Sequence, residues 1–236
     1  MMGAVTEPAM PLLPSPPLPV VFRGDLKLYL RPGLRMPSVT TVLGATEDRS
    51  GLEKWIAKVG VKEAERIRDY SAARGTKIHR WMEDHLLRGL EPSTGLLEGS
   101  GGDPDLEFWY GLRPEVERLS DLHLVEGVVW ANTEHGPYAG TVDLCCRLDG
   151  GPLRIVDLKT KRKPLPRQWC GEHFTQLAMY AMAVNNTHPG LDVRHGAILS
   201  IDEKTLKPVT HLLDEEEMEL FQITALDRVR RYYAGL

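Results

Sequence analysis

The stretch GTVDLCCRLDGGPLRIVDLKT, residues 140–160, decides the fold. Two apolar runs flank Asp149, Gly150 and Gly151, a turn composition that predicts a tight antiparallel hairpin. With a three-residue loop there, Leu148 faces Pro152, and counting outward places Asp143 directly opposite Asp157. In that register Val142 pairs with Leu158 and Leu144 with Val156 on one face, while Thr141, Asp143, Asp157 and Lys159 share the other. Carboxylates facing each other across a ladder repel, so sheet stability does not account for them. A bound cation does, and oxygen ligands of this kind suit Mg²⁺ or Mn²⁺. Lys159, on the face of Asp157, is placed to meet a phosphate or orient a water. A turn at Thr133 to Gly136 sets Glu126 beside Asp143. Metal, ammonium and carboxylates together equip a site for phosphodiester hydrolysis. Alone, an Asp-x-Lys sequence is a common salt-bridged strand end; the paired hairpin gives it a chemical reading.

Outward from the hairpin, 236 residues with 42% hydrophobic content suffice for one large domain with a sizeable core. No run approaches the ~20 apolar residues of a membrane-spanning helix, so no membrane partner is expected. The first 20 residues are rich in proline, with no basic flank and no unbroken apolar core. They read as a disordered leader rather than a targeting signal, leaving residues 21–236 as the domain. Three cysteines, two of them adjacent, make neither a disulfide framework nor a four-thiolate cluster, and a reducing cytoplasm is the expected home. A net charge of −4 gives no global attraction for nucleic acid. Between Arg154 and Arg167, however, six basic residues, Lys161 and Arg162 among them, stand against one aspartate.

LKLYL (26–30) and SVTTVL (38–43) read as strands around the Pro32-Gly33 turn. Leu52, Trp55, Ile56 and Val59 share a helix face from Leu52 to about Arg68, and Ile78, Met82 and Leu86 mark a second helix from about Ser71 to Leu90. Ser93 to Pro104 reads as an exposed glycine-rich loop, followed by a helix over 106–119. Three strands then span 123–130, 138–148 and 152–160. A helix from about Phe174 to Val184, a strand at 195–201 and a helix beginning near Asp214 complete the chain. The terminal RVRRYY (228–233) reads as a solvated helix end, and Cys170 and His173 as an incidental pair.

The 140–160 hairpin resembles the core of the PD-(D/E)XK nuclease superfamily, and QLAMY (176–180) resembles the Q-x-x-x-Y motif of its RecB-like branch. Upstream, PSVTTVL (37–43), Trp55 and GTKIH (75–79) are similar to the mitochondrial genome maintenance exonuclease family and its phage and bacterial relatives. The resemblance implies an α/β restriction-endonuclease-like fold, a central mixed sheet flanked by helices. It also implies metal ligation by Asp143, Asp157 and the Leu158 carbonyl, with Lys159 as the catalytic lysine. Glu126 and His79 match the further acidic and histidine positions of the branch; Gln176 and Tyr180, at i and i+4 on one helix face, match its DNA-facing pair. CRISPR-associated relatives carry four cysteines for an iron–sulfur cluster, which this chain cannot supply.

The resulting expectation is a Mg²⁺- or Mn²⁺-dependent DNA exonuclease favouring single-stranded ends, in replication, recombination or repair, in a bacterial or phage-host cytoplasm. The helices over 52–90 would wall a channel in which Arg74, Lys77 and Arg80 track the strand. The rivals are a structure-specific flap or branch endonuclease and, outside enzymes, a DNA-end-binding subunit of a recombination complex.

Overall fold

The computed structural model describes residues 12–15, 17–24, 26–92 and 103–235. Most of the glycine-rich loop, residues 93–102, therefore lies outside the described residues. At the centre is a five-stranded mixed sheet in the order β4-β5-β6-β7-β8, formed by Leu119–Thr133, Gly136–Leu148, Leu153–Lys161, His195–Asp202 and Pro208–Leu213. Among the described strands of this sheet, β6 and β7 are the pair that runs parallel. Their crossover is α5 (Gly171–Thr187), entered through a 3₁₀ turn at Arg167–Trp169.

Two layers cover the sheet. On one face α5 buries ten of its 17 residues, Leu177, Ala178 and Met179 among them, in a cluster completed by α1 (Val39–Thr46) and α6 (Glu215–Ala234). On the other face Ile78 and Met82 of α3 (Val61–Arg88) and Trp109 and Leu112 of α4 (Leu106–Val116) pack on Leu144, Val156, Leu158 and Leu199. A small antiparallel sheet, β1 (Val20–Arg23), β2 (Leu26–Arg31) and β3 (Leu34–Pro37), lies against β5.

Several local readings are corrected. The β-branched SVTTVL is a helix rather than a strand: Ser38 caps it by accepting the Thr41 N–H, and Val39, Val42, Leu43 and Thr46 fall at helical spacing in the core. The division of the 52–90 helices falls at Gly60, whose φ of 86° suits glycine, so α2 is Ser50–Val59 and α3 is one 28-residue helix. Strand β8 has no counterpart in the sequence reading. The RVRRYY end is docked: Arg228 is buried and donates to the Leu43 carbonyl, Thr46 and Glu172, tying α6 to α1.

The proline-rich leader also departs from expectation where it is described. Leu13 N–H donates to the His123 carbonyl, and Ser15 bonds both backbone groups of Val128. Farther along this edge strand Thr187 bonds both backbone groups of Trp130. These contacts satisfy an edge that would otherwise be open to pairing.

Candidate active site

Register builds the site. Leu144 pairs with Val156 and Arg147 with Leu153, as the loop at Asp149–Gly151 requires, and Thr133 pairs with Gly136 in the neighbouring hairpin. The β5–β6 ladder stops at Leu144–Val156, one step before the two aspartates. The Leu158 N–H, which a β5 carbonyl would take in a continued ladder, instead donates to Asp143 Oδ2 at 2.9 Å. The strands thus part where the carboxylates would repel, and Asp143 fills the gap.

A phase change accompanies this break. Val142 joins the α5-side cluster, whereas Leu144, Val156 and Leu158 belong to the α3–α4 side, so the expected shared face for Val142 and Leu158 is not formed. In the adjoining strand Glu126 has φ 48°, a left-handed conformation costly for a non-glycine residue. Leu124 and Val129, an odd number apart, consequently face the same core. Strain therefore sits at a carboxylate that points into the cluster. Thr141 is engaged elsewhere, 2.9 Å from the Tyr29 hydroxyl.

His79, from the middle of α3, closes the cluster. Its Nδ1 lies 3.2 Å from Glu126 Oε1 and 3.6 Å from Asp143 Oδ2, and its Nε2 lies 3.3 Å from the Leu158 carbonyl. Burial alone would lower the histidine's pKa, but the Glu126 hydrogen bond and the Asp143 charge outweigh it and raise it to about 9. A doubly protonated ring satisfies acceptors on both nitrogens, placing positive charge among the carboxylates. Burial, reinforced by the Asp157 charge, raises the Asp143 pKa. Asp157 is 2% exposed and pairs with Lys159 Nζ at 2.6 Å. Burial works against the Lys159 ammonium, yet Asp157 and Asp143 overcome it and raise its pKa.

One ligand atom from each of His79, Glu126 and Asp143 falls within a 4.8 Å cluster. Asp157 Oδ2 is buried without an aligned hydrogen-bond donor despite its ionic contact with Lys159. Carboxylates, a carbonyl and one imidazole form a donor set that fits a hard or borderline divalent cation. Beside it lies an open groove of about 770 Å³ lined by Thr76, His79, Arg80, Glu83 and Glu126. Thr76 and Glu83 were not singled out from the sequence, although they share the helix face of His79 at i−3 and i+4.

The basic residues expected to track a strand divide sharply. Arg74 is not available to solvent: it is buried, bonded to Asp105 and Glu203 and stacked on Tyr70 and Phe108. Lys77 is held by Asp103 and Asp105. Lys161 is half-buried against His173 Nε2 at 2.9 Å. Arg80 and Arg162 are exposed. Gln176 and Tyr180 are buried on α5 rather than displayed on a surface; Tyr180 packs so closely on Gly140 that a Cβ there would lie 2.7 Å from its ring. Burial and then the charges of Asp143 and Asp157 raise the Tyr180 pKa.

With this geometry the family follows. Residues 54–235 match the model of the PD-(D/E)XK nuclease superfamily, and the chain belongs to that superfamily. Its class is therefore that of a nuclease, and nucleases of this superfamily typically use divalent metals. No curated protein matches the chain in sequence. A solved structure described as "Crystal structure of SSO0001" is similar at 15% identity and a TM-score of 0.43, covering 81% of this chain and 74% of that one. Among the described residues no helix is long and apolar enough to cross a membrane.

Proposed function

We propose that the protein is a Mg²⁺- or Mn²⁺-dependent DNA exonuclease acting on single-stranded ends in replication, recombination or repair. The observation that supports metal-dependent hydrolysis, the chemical core of this reading, is the convergence of His79, Glu126 and Asp143 from three elements beside the buried Asp157–Lys159 pair. Asp143, Asp157 and the Leu158 carbonyl, with Glu126 and His79, would hold the cation. A divalent cation bound there would stabilise charge on the phosphate and acidify water.

This chain's own residues act around that centre. Lys159, kept protonated by Asp157 and Asp143, opposes charge on the scissile phosphate or donates a proton; it is not a base as it stands. Asp143 is oriented by the Leu158 N–H, and Glu126 is held towards it by the strained backbone. Gln176 and Tyr180 act from behind the carboxylates as positioning residues rather than as DNA contacts. Arg80, exposed and lining the groove beside His79, attracts the incoming strand, and Arg162 does so beyond β6. A cytoplasmic location and replication or recombination partners accord with this reading.

Preference for ends is tested with labelled linear and closed circular single strands of one sequence, in Mg²⁺ and then Mn²⁺ at fixed ionic strength. Progressive loss of the linear strand with survival of the circle supports the exonuclease. Equal loss of both favours the flap or branch endonuclease, which uses the same metal chemistry.

A further inference from the structure

We infer that the groove between α2–α3 and the segment following β6 is a binding track for unpaired nucleic acid, with Trp55 and Trp169 as base-stacking platforms. The inference rests on the nuclease reading and extends it to a second, non-catalytic subsite. The groove, about 740 Å³, is lined by these two tryptophans, by Ile67 and Glu203, and by Lys161, Arg162, Lys163 and Lys204.

Exposure is the first argument. Trp169 is 68% exposed and Trp55 36% exposed, and none of the ten residues of α2 is buried. Exposed apolar surface rimmed by charge marks an interaction site. The charge selects the occupant: four basic residues line the groove against Glu203, whose carboxylate already faces Arg74 and Arg162. Lys163 and Lys204 make no ion pair among the described residues. Aromatic faces interleaved with uncommitted cations recognise single strands, whose bases offer free faces that a duplex keeps stacked.

Position is the second argument. Lys161 ends β6 two residues beyond Lys159, a rise of roughly 7 Å along the strand, so the track begins next to the candidate catalytic lysine. α3 crosses β6 where a Cβ on Gly75 would meet Thr160 Oγ1 at 3.7 Å, and Ile67 lies about two turns back along the same helix. A strand leaving the carboxylates along β6 therefore reaches the tryptophans without leaving this wall.

The test uses the full chain in EDTA, a 20-nucleotide oligo-dT and a blunt duplex of equal length. Trp55→Ala and Trp169→Ala should each weaken oligo-dT binding about tenfold and diminish the quench of tryptophan fluorescence. Trp55→Phe should recover most of the affinity, and Tyr110→Ala, an exposed aromatic elsewhere, should change nothing. The double variant Lys163→Ala/Lys204→Ala should lower the salt dependence by about 1.4 in log–log slope. Wild-type cleavage in Mn²⁺ is measured in parallel. Cleavage with unaltered binding in the tryptophan and lysine variants overturns the track and leaves the nuclease reading standing, as it would if the groove received a protein partner. Tryptophan-dependent binding without wild-type cleavage upholds the track and removes the nuclease reading. Equal losses for oligo-dT and duplex also overturn the preference for unpaired bases.

Discussion

Helices α2 and α5 both present apolar residues in the sequence, yet α5 buries ten of 17 residues, Phe174 to Ala181 without a break, and α2, with one apolar face, none of ten. The difference lies in what each has to lean on. α5 is the crossover between two parallel strands, which places it flat on the sheet. α2 ends at Gly60 and extends from α3, so Leu52 and Trp55 remain exposed. Periodicity thus establishes that a helix has an apolar face without saying whether that face is core or contact surface.

The comparison can be broken by mutation. Leu177→Ala, at a fully buried α5 position, should cost about 2–5 kcal/mol in urea unfolding. A smaller loss than Leu52→Ala in α2 would invert the account of the two helices. An intermediate effect is expected at the sheet edge: removing residues 1–18 should cost about 1–2 kcal/mol through the lost Leu13 and Ser15 bonds to β4. An unchanged melting midpoint would show that those bonds contribute nothing net.

The acidic cluster sharpens the contrast through pH. With the His79 pKa raised from its ordinary 6.5 to about 9, the folded state holds a proton that the unfolded state releases between those values. Its stabilisation is complete below about pH 6.5 and is lost as pH rises through about 9. The raised Asp143 pKa acts in the same sense, because ionising that buried carboxylate is harder in the folded state. In EDTA the melting midpoint should fall between pH 6 and 9; saturating Mn²⁺ should flatten the fall, with proton release on binding. A midpoint that rises over this window contradicts the charge balance described. The smallest effect belongs to Leu52→Ala, within about 0.5 kcal/mol of wild type as an exposed substitution.

Both hairpin registers were legible because Asp149-Gly150-Gly151 and the turn before Gly136 fix which residues face each other. Those registers alone bring Asp143, Asp157, Lys159 and Glu126 together. The ladder break at Asp143 was not legible, since a carboxylate substituting for a backbone acceptor leaves no periodic trace. The burial of Arg74 was not legible for a related reason: its partners, Asp105 and Glu203, lie 31 and 129 residues away. The β-branched composition of SVTTVL favours a strand, and the Ser38 cap that makes it a helix is a single-residue signal. Arg228 looked like any basic residue near a helix end, and only the return of α6 to α1 shows its role.

The central claim is that the Asp143 charge serves chemistry rather than folding, and Asp143→Asn isolates it. The amide oxygen can still accept the Leu158 N–H, so the variant should melt at or above the wild-type midpoint in EDTA. In Mg²⁺ or Mn²⁺ its cleavage of end-labelled linear single-stranded DNA should fall by roughly a hundredfold to a thousandfold. Cleavage at the wild-type rate by a folded Asp143→Asn protein would contradict the account.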